Sequence, residues 1–261
     1  MLPLAFADRL ALLPCVSLEE LDAQAALLTR RDRKYLVPMA VAERVVTELA
    51  ALARVLEIDG RRQFGYESVY FDTPEHMSYL NAARRRPRRF KVRTRAYLDT
   101  GRCVLEVKTR DARGRTVKTQ HDKDLTRRDR LDAHDRLVVG GYPEIGIAGR
   151  ALEPAVTTRY TRVTLLVGAD ARATLDTDVT AIAPDGRAAH LADMAIIESK
   201  SAGAPSPVDR LLWSLGHRPI RVSKFGTGLA ALFPELPSNK WHRALGASWE
   251  VGAGAGALAA G

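Results

Sequence analysis

Apolar and polar residues alternate with a period of two along much of this chain, and the alternation marks its strands. Residues 31–37 (RDRKYLV) read as a first strand. Pro38 then opens a helix whose Val41, Val45, Val46, Leu49, Leu52, Ala53 and Leu56 fall at helical spacing. A second strand is expected over about 66–72, rich in aromatic and β-branched residues, with a short helix from Pro74 to about Asn81. Strand-like runs follow at 88–98, 102–110 and 114–122. Between them lie Asp99-Thr100-Gly101 and Asp111-Ala112-Arg113-Gly114, sequences suited to hairpin turns. Thr126 with Asp129 suggests a capping box for a charged helix to about Val138. Two long strands at 155–167 and 171–182 and an eighth at 192–200 come next. A helix opened by Ser206 and Pro207 stops near Gly216, and a last one covers about 227–233. The Gly/Ala tail from Gly252 has no core-forming pattern and is expected to be disordered.

Strand parity sorts the charges. Arg89, Lys91, Arg93 and Arg95 share one side, opposite Phe90, Val92, Thr94 and Ala96. Glu106 and Lys108 oppose Leu105 and Val107; Lys118 and Gln120 share a side. Arg162 opposes Val163 and Leu165, and Arg172, Thr174, Asp176 and Asp178 oppose Leu175 and Val179. Glu198 and Lys200 oppose Ile197. A sheet with one face in water would show the same alternation. Two features strain that reading: arginine recurs where an exposed face would use Ser, Thr, Lys and Glu, and the helices' apolar stripes need the strands' apolar sides as partners. The expectation is therefore α+β: eight antiparallel strands closed into a barrel, helices packed outside, the charged sides turned inward.

Composition narrows the classes. The chain has 261 residues, 46% of them apolar, so it can bury a sizeable core. There is no run of about 18 apolar residues, so no membrane span is expected, and the amino terminus does not read as a secretory signal. Cys15 and Cys103 make no disulfide framework, and the cytoplasm is the expected compartment. Lys and Arg number 40 against 31 Asp and Glu, a net charge of +9. Eight of those cations sit in residues 84–95 without an acid, leaving the rest of the chain near neutral. Such localisation argues against a general nucleic-acid binder.

A cationic interior must hold an anion, because buried like charges are costly. Arginine forks and lysine point charges suit phosphate oxygens. The acids on the same sides, Glu106, Asp176, Asp178 and Glu198, are candidate oxygen ligands for Mg²⁺ or Mn²⁺ bridging phosphates, against a plain salt bridge to a neighbouring arginine. Glu198 and Glu106 are favoured because each lies two residues from a lysine. The chain has no Walker loop, kinase loop or Ser/His/Asp set.

The ordered motifs Arg33-Lys34-Tyr35, Ser68-Val69-Tyr70-Phe71-Asp72-Thr73, Lys91-Val92-Arg93-Thr94-Arg95, Leu105-Glu106-Val107-Lys108, Arg172-Ala173-Thr174-Leu175-Asp176, Glu198-Ser199-Lys200 and Ser223-Lys224-Phe225 resemble the VTC domain. This is the catalytic domain of polyphosphate polymerases, within the CYTH or triphosphate tunnel metalloenzyme superfamily. The resemblance covers about residues 29–234, leaving 1–28 as an extension and 235–261 as a tail. It implies an eight-stranded tunnel and an activity that transfers the γ-phosphoryl group of ATP to a polyphosphate chain with Mn²⁺ or Mg²⁺. The alternatives are a triphosphatase or short-chain polyphosphatase, and a non-catalytic polyphosphate- or nucleotide-binding module. By position, Lys34, Arg93, Arg95, Lys108, Arg172 and Lys200 are implied at the reacting phosphates, with Lys118, Arg162 and Lys224 as further phosphate ligands. Lys91 joins them from its strand side. Glu198 is implied as the main metal ligand with Glu106 nearby. The chain departs from the family where relatives often carry Lys followed closely by Arg: it reads Lys118-Thr119-Gln120, one cation fewer. The family's phosphate-sensing domain and membrane helices do not occur in this sequence, so a separate membrane partner is one possibility the resemblance leaves open.

Overall fold

The alternation is realised in twelve strands among residues 5–25, 31–169, 171–246 and 249–253, which the computed structural model describes. In chain order they begin with β1 (Cys15–Val16), β2 (Arg31–Pro38), β3 (Ala53–Leu56), β4 (Phe64–Asp72), β5 (Arg89–Tyr97) and β6 (Arg102–Arg110). The rest are β7 (Thr116–Asp122), β8 (Glu153–Val167), β9 (Ala171–Ile182), β10 (Arg187–Leu191), β11 (Met194–Ser201) and β12 (Trp249–Ala253). They fall in two units: Met1–Phe64, Thr161–Asp178 and Ala192–Val222 make the first, and Gly65–Tyr160, Val179–Leu191 and Ser223–Gly261 the second.

In the first unit β11 runs antiparallel between β2 and β9, so Glu198 lies opposite Lys34 on one flank and Thr174 on the other. β3 pairs with the distal part of β8 and carries β1 in parallel. The apolar sides of these strands, with Tyr35, Val37, Ala173, Leu175, Ala195 and Ile197, form one core. Helix Met39–Glu48 covers it through Ala42, Val45 and Val46, and helix Pro207–Ser214 through Val208 and Leu212. Helices thus take the apolar side, as the sequence predicts. Ser206 and Asp209 cap the second helix reciprocally.

Asp209 does more than cap. Fully buried, it accepts from the Tyr35 hydroxyl at 2.6 Å, the Ser206 amide at 2.7 Å and the Ser199 hydroxyl at 3.1 Å, and pairs with Arg33 at 3.3 Å. Arg33 and Tyr35 flank Lys34, while Ser199 lies between Glu198 and Lys200, so Asp209 grips the back of both strands. Replacing it strands several buried donors. Asp209→Ala is expected to cost about 3–5 kcal/mol of unfolding free energy in urea titration; a cost below ~1 kcal/mol would remove this role.

In the second unit the pairing order is β8-β4-β5-β6-β7, with β9-β10-β12 as a further run. Val69, Phe71, Phe90, Val92, Leu105 and Val107 pack with Leu131, Val139 and Leu152, and helix Ala133–Gly140 supplies Val139. Helix Lys224–Leu232 presses so closely on Trp241 and Ala181 that Gly226 and Gly228 have no room for a Cβ. Its Phe225 stacks on Tyr70 with centroids 5.0 Å apart.

Several expectations need correction. The sheet is not closed into a barrel: among the described residues β7 pairs with β6 alone and β2 with β11 alone. Closure needs the last strand to bond the first. β7 instead has the make-up of an edge, polar and largely exposed, with Lys118, Gln120, His121 and Asp122 along it. The helix after Pro38 ends at Glu48 rather than near Leu56; a turn closed by the Leu52 amide on the Leu49 carbonyl (2.8 Å) releases Ala53–Leu56 as β3. The capping box lies at Asp132 and Asp135, not at Thr126 and Asp129, because the helix starts at Ala133. Gly252 and Ala253 lie in β12, paired to Ala188 and Arg187; the remainder of the tail lies outside the described residues. Among the described residues no helix is long and apolar enough to cross a membrane.

Candidate functional site

The second unit gathers its cations around Glu106. Register places Arg93 directly opposite it on β5 and Gln120 on β7. Arg93 donates to Glu106 Oε2 through both Nε and Nη2. Lys118 Nζ stands 2.8 Å and Gln120 Nε2 2.7 Å from Oε1, with Arg95 Nη1 at 3.8 Å. The carboxylate side chain is only 3% exposed. Burial pushes its carboxyl up, but Arg93, Arg95 and Lys118 outweigh that and hold it well below the usual range. Arg93 also donates to the Tyr70 hydroxyl at 2.8 Å.

Around this centre, Lys91 donates to Ser223 Oγ at 3.0 Å, and Lys108 lies between Lys91 and Lys118 in the ladder. Tyr66 and Tyr160 stack 5.2 Å apart and carry two cations: Lys224 Nζ 4.0 Å above Tyr160, and Arg95 Cζ 5.7 Å from the Tyr66 centroid. Arg95 Nε and Ser68 Oγ, neighbours by register, are buried without a partner. Orphaned donors on a cationic strand side suit phosphate oxygens.

The first unit centres on Glu198. Lys34 Nζ lies 2.7 Å and Lys200 Nζ 3.2 Å from its two oxygens. Burial again pushes this carboxyl up, and Lys34 and Lys200 bring it well below the ordinary carboxylate range. Thr174, its cross-strand neighbour, has a buried hydroxyl without a partner. Arg162 is engaged differently: its Nε and Nη2 form a fork on Asp176, at 2.6 and 2.8 Å. Arg172 lies opposite Lys200 and reaches Asp22 at 3.6 Å. Asp178 is exposed, in left-handed backbone (φ 54°), and accepts from the Thr177 hydroxyl at 3.0 Å.

These arginines are not splayed into solvent: Arg93 is 19% and Arg95 12% exposed at the side chain. Among the described residues no three His, Cys, Asp or Glu side chains converge as a ready-made metal cage. A single carboxylate still suffices for a hard cation whose other ligands are water and substrate phosphates. Glu198, 16% exposed and ion-paired with Lys34 and Lys200, fits that role. Glu106 fits less well, since both its oxygens already accept from several donors.

Sequence reasoning gave no role to Tyr66, Tyr70, Tyr160 or Ser223, although Tyr70 and Ser223 lie in the motifs that carry the resemblance. The signal for two of them was present, for Tyr66, Ser68 and Tyr70 alternate on the β4 side that register sets beside Tyr97, Arg95 and Arg93.

The family model of the VTC domain matches residues 29–233. The chain belongs to the VTC domain family. No curated protein matches it. Among solved structures, the VTC chain is similar to the Hippeastrum adenylyl-cyclase candidate HpAC1, which has a dominant triphosphatase activity: TM-score 0.49, 16% identity, 80% of this chain and 98% of that one covered. It is also similar to the PH1819 protein of Pyrococcus horikoshii OT3, with TM-score 0.42, 13% identity, and 74% and 91% of the two chains covered. Every sequence-expected site residue of this VTC domain lies within the matched span.

Proposed function

We propose that this VTC domain handles triphosphate and polyphosphate as a metal-dependent phosphoryl-transfer enzyme, moving the γ-phosphoryl group of ATP onto the end of a polyphosphate chain. The observation that supports this most is the partly exposed Glu198 carboxylate set between Lys34 and Lys200 in a chain of VTC membership. Glu198 would hold Mn²⁺ or Mg²⁺ there, and such an ion would supply positive charge against the transferring group. Lys34, Lys200 and Arg172 bind phosphoryl oxygens in the first unit; Lys91, Arg93, Arg95, Lys108, Lys118 and Lys224 do so in the second. Glu106 serves mainly to fix Arg93, Arg95 and Lys118, and Asp176 does the same for Arg162.

One observation favours hydrolysis as a second reading. Gln120 stands where relatives often carry a cation, and its amide is spent on Glu106. A weaker hold on an incoming chain leaves water as the competing acceptor. Purified protein incubated with ATP and Mn²⁺ separates the readings when chain growth and free phosphate are followed together. Long chains are expected. Phosphate without chains replaces polymerisation by hydrolysis, and neither product leaves a binding module.

A further inference from the structure

The centres above leave part of the cationic run unused. Arg84, Arg85, Arg86 and Arg88 stand exposed on the loop between helix Met77–Ala83 and β5. Beside them, Arg89 lies on the β5 side that carries Lys91, Arg93 and Arg95. The ladder changes character along that side. Arg93 aligns with Glu106 and Gln120; Lys91 aligns with Lys108 and Lys118; Arg89 aligns with Arg110 and Thr116. Across β5, β6 and β7 the acids stand in the Arg93 row (Glu106) and the Arg95 row (Asp122), whereas the two rows toward the loop bring five cations with no acid in register, Lys118 alone reaching across to Glu106. Like charges directly opposite one another destabilise a strand pair. Arg89, half-buried, donates one bond to the Arg86 carbonyl (2.9 Å), and burial and Arg110 together lower its pKa.

From Arg95 to Arg89 is six residues of strand, roughly 20 Å, before the four loop arginines are reached. A triphosphate is too short to occupy that length. We propose that the Lys91 and Arg89 rows and the 84–88 loop form a track for the distal part of a linear polyphosphate, so that this domain binds long chains more tightly than triphosphate. This deepens the reading above and rests on it.

The test compares wild type with the loop variant R84Q/R85Q/R86Q/R88Q, titrated with tripolyphosphate and with long-chain polyphosphate over a range of salt. Triphosphate affinity is expected to hold within about twofold, while long-chain affinity falls at least ~10-fold and its log–log salt slope shrinks by roughly 3, for four lost contacts to a single-stranded polyanion. Unchanged long-chain affinity, or an equal loss for both ligands, overturns the track. Single-stranded DNA bound as tightly as polyphosphate, and lost equally in the variant, overturns its assignment to polyphosphate. Wild type that binds neither phosphate ligand removes the functional reading itself, which a failure of the variant alone does not. R89Q gives an independent check: relief of repulsion with Arg110 is expected to raise Tm while long-chain affinity drops. A fall in both marks Arg89 as structural and removes it from the track.

Discussion

Glu198→Gln is expected to lower the metal-dependent kcat by about 10³-fold, the several kcal/mol that a bound cation contributes to a phosphoryl-transfer transition state. Polyphosphate binding is expected to survive or tighten. The reason lies in the neighbours: Lys34 and Lys200 are both occupied by this carboxylate, and the neutral amide frees them for phosphate oxygens. Geometry is nearly conserved, since Gln keeps the length of the side chain. Two measurements decide it, turnover against Mn²⁺ concentration and a binding titration without metal. Wild-type turnover would exclude Glu198 as the metal ligand, whereas loss of binding along with turnover would show that the carboxylate organises the lysines rather than a cation. Glu198→Asp, which keeps the charge on a shorter stem, is expected to fall between the two.

The residues proposed for this chemistry were legible because a strand writes its two sides into alternate positions. β5 is the clearest case: Arg89, Lys91, Arg93 and Arg95 are half-buried while Phe90, Val92, Thr94 and Ala96 are buried, as the parity of the sequence requires. β6 and β9 also begin and end at the expected residues. Alternation does not state which strand pairs with which. Barrel closure was inferred from the strand count together with charged sides turned inward, and was wrong, because pairing stops at β7, whose polar edge is visible in the sequence only once its place in the order is known. β3 was lost inside a helical pattern, since Ala53 and Leu56 continue the helical spacing while Ala53 and Val55 alternate as a strand, and only the turn after Glu48 decides between them. β10 and β12 are short strands in polar or Gly-containing sequence, and mutual pairing specifies them better than composition does. Gln120 was visible as a departure from the family, but its role as a donor to Glu106 needed the register.

Glu106→Gln tests the second centre and carries a large expected cost in stability. The native carboxylate, nearly inaccessible, neutralises Arg93 directly and Lys118 and Arg95 at its other oxygen. Removing its charge leaves those cations facing one another, with Lys91 and Lys108 in the adjoining row. Breaking a buried pair from one side costs about 3–5 kcal/mol. For a chain of this size that is a Tm drop on the order of 10 °C. The sign with pH follows from the same interaction. The folded-state pKa lies below that of an unfolded glutamate, near 4.3, so the stabilisation is complete above that value and is lost as pH falls toward the folded pKa. Wild type is therefore expected to lose stability in acid more steeply than Glu106→Gln, and the two unfolding curves should converge as pH falls below about 4. Bound polyphosphate should narrow the gap at neutral pH, because its oxygens replace the missing counter-charge for Arg93, Arg95 and Lys118. A variant as stable as wild type at pH 7, with or without polyphosphate, would mean that these cations need no counter-charge, and the reading of this strand side as an anion site would fail with it.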